Sequence, residues 1–254
     1  MAGLVVTAWA ALALWERSPY GRYLDHGDWT QAGLAAGICR VLPAGPTVLP
    51  ALLYAGGWLL MTAAMMLPTT LPLLGLFRRL TAGRADAARL VGLVVTGYLG
   101  VWGLFGLAAH GLDVALHAAA AGSAWITFDG WIVGAAVLAL AGAFQFSALK
   151  HHCLDRCRTP LSFLMAHWHG IRPHAEALRL GAAHGLYCVG CCWAIMLLMF
   201  VVGTGSVGWM LVLGAVMAVE KNAPWGRRLA APLGLALLGW SAAVIVTNLW
   251  QRAV

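Results

Sequence analysis

The stretch Leu90-Val-Gly-Leu-Val-Val-Thr-Gly-Tyr-Leu-Gly-Val-Trp-Gly-Leu-Phe-Gly-Leu-Ala-Ala109 decides the fold class, because 20 consecutive residues carry no charge. A transmembrane α-helix needs about 20 predominantly apolar residues to cross the hydrocarbon core of a bilayer. Seven apolar runs of this kind predict helices over residues 2–15, 49–76, 88–110, 129–149, 181–202, 205–220 and 231–250. The first and the sixth are short for a bilayer, so six spans remain an alternative.

The composition of the whole chain predicts the same class. Of the 254 residues, 61% are hydrophobic and 10% are charged, whereas an ordinary soluble domain has roughly a quarter of its residues charged. We therefore expect an all-α, polytopic transmembrane helix bundle in the cell (inner) membrane. Residues 1–48 are predicted to form a first helix and an outer loop, and residues 49–254 the bundle, with a cytoplasmic Cys/His segment at 150–180.

The basic residues indicate topology and not a nucleic-acid surface. The net charge is +7, but the 16 Lys and Arg residues lie in short segments between the apolar runs. Segments 78–89, 150–180 and 221–228 hold 12 of them, and the segments on the other side hold 4. The positive-inside rule then predicts a cytoplasmic N-terminus and an outer C-terminus.

Potential metal ligands are concentrated in one part of the chain. Residues 151–192 contain 11 of the 15 His and Cys residues. At about 100° per residue, His184, Cys188 and Cys191 fall within one narrow helical face, with Cys192 just beyond it. An ionisable group at membrane depth is costly unless it is paired or coordinated, so this face is a candidate metal site.

Methionines extend this candidate site toward the outer side. Met61, Met65 and Met66 lie in the second predicted helix before Pro68 and Pro72, which are predicted to kink it, and Met196 lies along the fifth helix with Met199. Thiolate and thioether ligands favour Cu(I), while Cys with His also suits zinc. The simpler interpretation of these methionines is ordinary core packing.

A second group of donors lies at the end of the fourth predicted helix. Cys153 and Cys157 are four residues apart, so a continuing helix would let both bind one ion, with His152 beside them. The neighbouring Lys150, Arg156 and Arg158 would favour thiolates. The alternative is a basic helix end that only anchors the topology.

Three further features allow more than one interpretation. Glu220 could pair with His184, with Lys150 or with Lys221. His110, Asp113 and His117 have helical spacing and would suit either metal capture or an exposed polar helix end. Cys39 and His26 have no evident partner in the predicted outer loop.

Three motifs resemble a bacterial family of uncharacterised, predicted metal-binding integral membrane proteins. They are Trp58-Leu-Leu-Met-Thr-Ala-Ala-Met-Met66-Leu-Pro68; Phe144 to Pro160 with Lys150-His-His-Cys153 and Cys157-Arg158; and His184-Gly-Leu-Tyr-Cys188-Val-Gly-Cys191-Cys192-Trp193, followed later by Glu220-Lys221. The resemblance covers roughly residues 50–240. It implies a multi-span membrane protein that binds a metal, with no settled substrate or reaction.

The leading hypothesis is therefore a membrane protein that binds a soft transition metal, copper or alternatively zinc, in transport or in delivery to a soluble metal-carrying or metal-receiving protein. The predicted ligands are His184, Cys188, Cys191, Cys192, Cys153, Cys157 and His152, with Met61, Met65, Met66, Met196 and Glu220 along a pathway. A thiol–disulfide oxidoreductase that uses Cys188/Cys191 and Cys153/Cys157 is the second hypothesis. Haem ligation and a purely structural subunit are weaker alternatives, and no enzymatic reaction is indicated.

Overall fold

The computed structural model describes residues 2–17, 48–121, 131–202 and 207–253, and in this part of the chain there are helices and no β-strand. The α-helices are α1 (Ala2–Glu16), α2 (Val48–Met65), α3 (Leu71–Leu80), α4 (Ala87–Ala121), α5 (Trp131–Phe144), α6 (Ala148–Arg158), α7 (Pro160–His167), α8 (Pro173–Val202), α9 (Val207–Asn222) and α10 (Ala230–Ala253). Short 3₁₀ turns, Leu67–Thr70 and Gly226–Leu229, precede α3 and α10. The expected all-α class is confirmed.

Three helical segments among the described residues are long and apolar enough to cross a bilayer. They are Ala87–Leu112 in α4, Pro173–Met199 in α8, and Gly226–Arg252, which includes α10. Two bent helix pairs, α2 with α3 and α5 with α6, raise the number to five if each pair forms one span. The seven spans and the orientation of the N-terminus stay predictions.

The first bent pair turns by 48° between Met65 and Leu67. Proline cannot donate a backbone hydrogen bond and its ring clashes with the preceding helical turn, so a bend at Pro68 is expected. The carbonyl oxygen of Met66 instead accepts hydrogen bonds from the backbone nitrogen and the Oγ1 atom of Thr69, at 3.1 and 2.7 Å. The predicted kink is confirmed, and it leaves Met66 buried at the turn.

The second bend separates α5 from α6 by 62°. Ser147 starts α6, because its Oγ atom accepts a hydrogen bond from the backbone nitrogen of Lys150 at 3.1 Å, as a helix N-cap residue does. Cys153 and Cys157 therefore do share a helix, as predicted, but its axis differs from that of the apolar helix before it.

The segment 150–180 contains more helix than its polar composition suggests. The helix predicted from 181 begins at Pro173, because the Glu176 carboxylate accepts hydrogen bonds from the backbone nitrogens of residues 169–172 and so caps the start of α8. A short helix, α7, also lies within this segment. The helix α8 therefore begins within the Cys/His segment.

Glycines bring α4 and α8 into close contact. A Cβ atom added at Gly97 would overlap the carbonyl oxygen of Leu178, and one added at Gly181 would overlap that of Val94. Small residues of this kind let the backbones of membrane helices approach each other. The close approach fixes α8 against α4 and orients its cysteine face toward the other helices of the core.

Candidate metal site

Three cysteines on α8 form the centre of the candidate site. Cys188, Cys191 and Cys192 are 0%, 1% and 1% exposed, and their side chains interact with one another. The Sγ atoms of Cys191 and Cys192 donate to the carbonyl oxygen of Cys188 at 3.1 and 2.9 Å. The helical face predicted from their spacing is therefore buried in protein rather than turned toward lipid.

The proline turn between α2 and α3 brings a thioether to this face. The Sδ atom of Met66 lies 3.9 Å from the Sγ atom of Cys192. Tyr98 on α4 joins the two sides, because its hydroxyl lies 3.0 Å from the Sγ atom of Cys188 and 3.4 Å from the carbonyl oxygen of Met66. Thiol, thioether and hydroxyl groups from three elements thus surround one small volume.

Lys221 of α9 lies in the middle of these sulfur atoms. Its Nζ atom is 2.8 Å from the Sγ atom of Cys188, 3.8 Å from that of Cys192 and 3.8 Å from the Sδ atom of Met66. It also lies 3.5 Å from the Oγ1 atom of Thr69. We name the set formed by Cys188, Cys192, Met66 and Lys221 the sulfur–lysine cluster.

Lys221 was predicted only as one partner of Glu220, although the sequence contains a signal for a further role. The chain has 14 Arg residues and only two Lys residues, Lys150 and Lys221. Both lysines are buried. Lys is almost never fully buried unless it is paired, so two buried lysines in an arginine-rich chain indicate a specific role.

The structure decides among the three partners considered for Glu220. Both of its carboxylate oxygens accept hydrogen bonds from the Nζ atom of Lys150, at 2.9 Å each, and both side chains are buried. Arg158 donates to the backbone carbonyls of Glu220 and Pro224. These contacts join α6 to the end of α9, next to the sulfur–lysine cluster.

The cysteines of α6 lie beside those of α8. Cys157 is half-buried, and its side chain interacts with that of Cys191. Cys153 is buried, and a Cβ atom added at Gly190 would lie 2.6 Å from its Sγ atom. All five described cysteines, which include these two, are free thiols. The two predicted cysteine groups are therefore neighbours and not separate sites.

The predicted histidine ligands lie at the margins of this arrangement. His184 is buried against Tyr98 and Phe163, with ring centroids 5.9 and 5.5 Å away, and its Nδ1 atom has no hydrogen-bond partner among the described residues. His152 is exposed, with its ring 6.3 Å from that of Tyr187. Within the described ranges, no three His, Cys, Asp or Glu side chains are assembled to hold a metal ion.

Methionines line the core around the cysteines. Seven of them are at most 2% exposed and belong to the same apolar cluster as the α8 cysteines: Met61, Met65, Met66, Met196, Met199, Met210 and Met217. Met210 and Met217 were not among the predicted residues, although Met217 lies one helical turn before Lys221 on α9. Soft thioether donors therefore continue beyond the thiols.

The candidate metal ligands on the predicted outer side lie only partly within the described residues. The His110 ring stacks on that of Tyr54, with centroids 4.1 Å apart. The side chains of Asp113 and His117 lie outside the described residues, as do Cys39 and His26 and residues 18–47 of the predicted outer loop at 16–48. A metal-capture role for this face stays a prediction.

The fold and the site together define an all-helical protein with long apolar helices and a buried cluster of soft metal donors. A sequence profile of the PpoB2 family, described as a copper chaperone, matches residues 55–244. Because the match covers more than half of the chain, the protein belongs to the PpoB2 copper chaperone family, which indicates a role in copper handling. No curated protein and no solved structure matches the chain.

Proposed function

We propose that this chain is a multi-pass protein of the cell (inner) membrane that holds Cu(I) inside its helix bundle and delivers it to a protein acceptor. The sulfur–lysine cluster is the observation that carries this proposal. Two thiols and a thioether, all buried, converge from α8 and the proline turn. The apolar spans and the family membership are consistent with it.

The donor set suits a soft, monovalent ion. Cys188, Cys192 and Met66 would be the ligands, and thiolate with thioether is the combination that selects Cu(I). A site that holds at most two cysteines agrees with the finding that no group of three His, Cys, Asp or Glu is assembled within the described residues. Zn(II) favours four Cys, His or carboxylate ligands in a structural site, so zinc is disfavoured.

The surface of α6 offers copper a route to the sulfur–lysine cluster. His152 is exposed and Cys157 is half-buried, so both can meet an incoming ion or carrier protein at the surface of α6. Cys157 interacts with Cys191, one helical turn from Cys188. We propose ligand exchange from α6 to α8, with the buried methionines as weaker sites beyond the cluster. We infer from the basic residues of α3 and α6 and the positive-inside rule that this entrance faces the cytoplasm.

The thiol–disulfide hypothesis is less well supported by this geometry. An attacking cysteine must be accessible to its substrate disulfide, whereas Cys188 and Cys191 are 0% and 1% exposed. The neighbouring thioether of Met66 has no role in disulfide exchange. The family membership also indicates copper handling.

Competition for Cu(I) with a chromophoric chelator tests the proposal. The full chain, purified in detergent under reducing conditions, is expected to withdraw one Cu(I) per molecule from the chelator. Cys188→Ser and Cys192→Ser should each lower the affinity for Cu(I) by about tenfold or more, since losing one ligand of this kind removes more than 1.4 kcal/mol of binding free energy. Met165→Leu, which removes a sulfur from a side chain that is 65% exposed, is the control and should leave the affinity unchanged. A wild-type chain that leaves all the Cu(I) on the chelator would refute the proposal.

Delivery and transport are separated by a second measurement on vesicles. With copper supplied outside, delivery predicts transfer to an added Cu(I)-accepting protein on the same side, without accumulation in the vesicle lumen. Lumenal accumulation that depends on Cys188 would show transport instead. Reporter fusions to the two termini would test the predicted topology, which places the N-terminus inside and the C-terminus outside.

A further inference from the structure

Lys221 carries a positive charge that the carboxylates around it do not balance. The neighbouring Glu220 uses both of its oxygens to bind Lys150. Successive residues of a helix point about 100° apart, so Glu220 faces α6 while Lys221 faces the sulfurs of α8. Among the described residues, the Lys221 ammonium contacts three sulfur atoms and one hydroxyl.

A buried ammonium in such surroundings is energetically costly unless a negative group accompanies it. Packing alone would be served better by Leu or Met, both of which are abundant in this core. We therefore expect the positive charge of Lys221 to have a use. The cysteines provide this use, because they lose their protons and become negatively charged when they bind a metal.

We propose that Lys221 makes the cluster selective for monovalent metal ions by balancing the charge of the metal–dithiolate complex. This inference rests on the proposed copper site. When Cys188 and Cys192 bind Cu(I), two protons leave and the complex carries a charge of −1. The Lys221 ammonium brings the total to zero inside a medium of low polarity.

A divalent ion bound to the same two thiolates would leave the cluster with a net charge of about +1 instead of zero. The complex with the metal would be neutral, and the ammonium would remain as an uncompensated buried charge. Softness distinguishes copper from hard ions, but not from soft divalent ions. Lys221 would thus add a discrimination by charge to the discrimination by ligand type.

The same charge explains why the ammonium lies where an ion would bind. Without metal, Lys221 donates to the Cys188 sulfur at 2.8 Å and takes the place of a cation. Its long flexible side chain can withdraw when the ion arrives and still remain nearby, toward Thr69, whose hydroxyl is 3.5 Å from the Nζ atom. The Lys221 ammonium therefore keeps the sulfur atoms in place before the metal binds, and it neutralises the charge of the metal–dithiolate complex afterwards.

Ag(I) and Cd(II) test the inference, because they are soft ions with the same closed-shell electron count and differ by one charge. The full chain in detergent is equilibrated with both, and the bound metals are quantified by mass spectrometry. Wild type should bind Ag(I) in preference to Cd(II). In Lys221→Met the ratio of Ag(I) to Cd(II) affinity should fall by about tenfold or more, as expected when a buried charge loses its partner. Lys221→Arg, which keeps the charge, should retain the wild-type preference.

The outcomes separate the two proposals. If wild type binds neither Cu(I) nor Ag(I), the proposed function fails. If wild type binds both but Lys221→Met leaves the Ag(I)/Cd(II) ratio unchanged, or if Lys221→Arg lowers the ratio equally, only the role of Lys221 fails. Lys221→Gln provides a second neutral variant if Lys221→Met does not fold. The preference of wild type for Ag(I) over Cd(II) can be measured without any variant. Equal affinities of wild type for the two ions would overturn the inference.

Discussion

The Nζ atom of Lys221 lies 2.8 Å from the Sγ atom of Cys188, although the two residues are 33 positions apart and belong to different helices. This contact places a positive charge within a group of soft metal ligands. It connects α9, which also carries the Glu220–Lys150 ion pair, to the cysteine face of α8. Adjacent residues of α9 therefore contact the sulfurs of α8 and the charged side chain of α6.

The thioether of Met66 should contribute directly to copper affinity. Met66→Leu preserves the volume and apolar character of a fully buried side chain, so it should cost less than about 1.5 kcal/mol of stability. The affinity for Cu(I) should fall by about tenfold, which corresponds to 1.4 kcal/mol. Chelator competition measures this, and Met165→Leu is the matched control, because Met165 is 65% exposed. Equal affinities in the two variants would exclude Met66 as a ligand.

The Lys150–Glu220 pair should be important for stability. Lys150→Met leaves the Glu220 carboxylate buried without its partner, and breaking a buried ion pair in this way costs about 3–5 kcal/mol. The double variant Lys150→Met/Glu220→Leu removes both charges and should recover much of that loss. Thermal unfolding in detergent provides the measurement. A single variant as stable as wild type would show that the pair is not sequestered from water.

Glycine should be required where α4 meets α8. Gly97→Ala would place a methyl group against the backbone of Leu178, and such overpacking typically costs about 1–3 kcal/mol. Gly92→Ala on the same helix is the matched control, because a Cβ atom there meets nothing within 4 Å. The unfolding temperature should therefore fall in Gly97→Ala and should not fall in Gly92→Ala. Coinciding temperatures would argue against the close contact of the two helices.

The five described cysteines should differ in their reactivity toward an alkylating reagent. Cys157 is half-buried, whereas Cys153, Cys188, Cys191 and Cys192 are buried. Native protein in detergent should therefore be labelled at Cys157 first and at the α8 cysteines only after unfolding, as quantified by peptide mass spectrometry. Prior loading with Cu(I) should slow labelling at Cys157 if this residue lies on the entry route. Rapid native labelling of Cys188 would contradict the buried site.

The sequence was sufficient to predict the helical class, the kink at Pro68 and the shared face of the α8 cysteines. These features depend on local rules: apolar run length, proline geometry and helical periodicity. The start of α8 was predicted eight residues too late, because the capping of its first turn by Glu176 is a polar signal inside a polar segment. Hydrophobicity alone does not detect it.

The composition of the cluster was harder to predict. The contacts of Cys192 with Met66 and of Cys188 with Lys221 join residues 126 and 33 positions apart, and periodicity contains no information about such pairs. His184 shows the opposite case. It shares a helical face with Cys188, yet its ring contacts Tyr98 and Phe163. Position on a helical face constrains a ligand set without determining it.

X-ray absorption at the copper edge of the Cu(I)-loaded chain tests the central claim most directly, because it reports the atoms bound to the metal. We predict a first shell made only of sulfur, which loses one sulfur in Met66→Leu and remains intact in Met165→Leu. A shell that contains nitrogen or oxygen, or one that is the same in both variants, would contradict a site formed by Cys188, Cys192 and Met66.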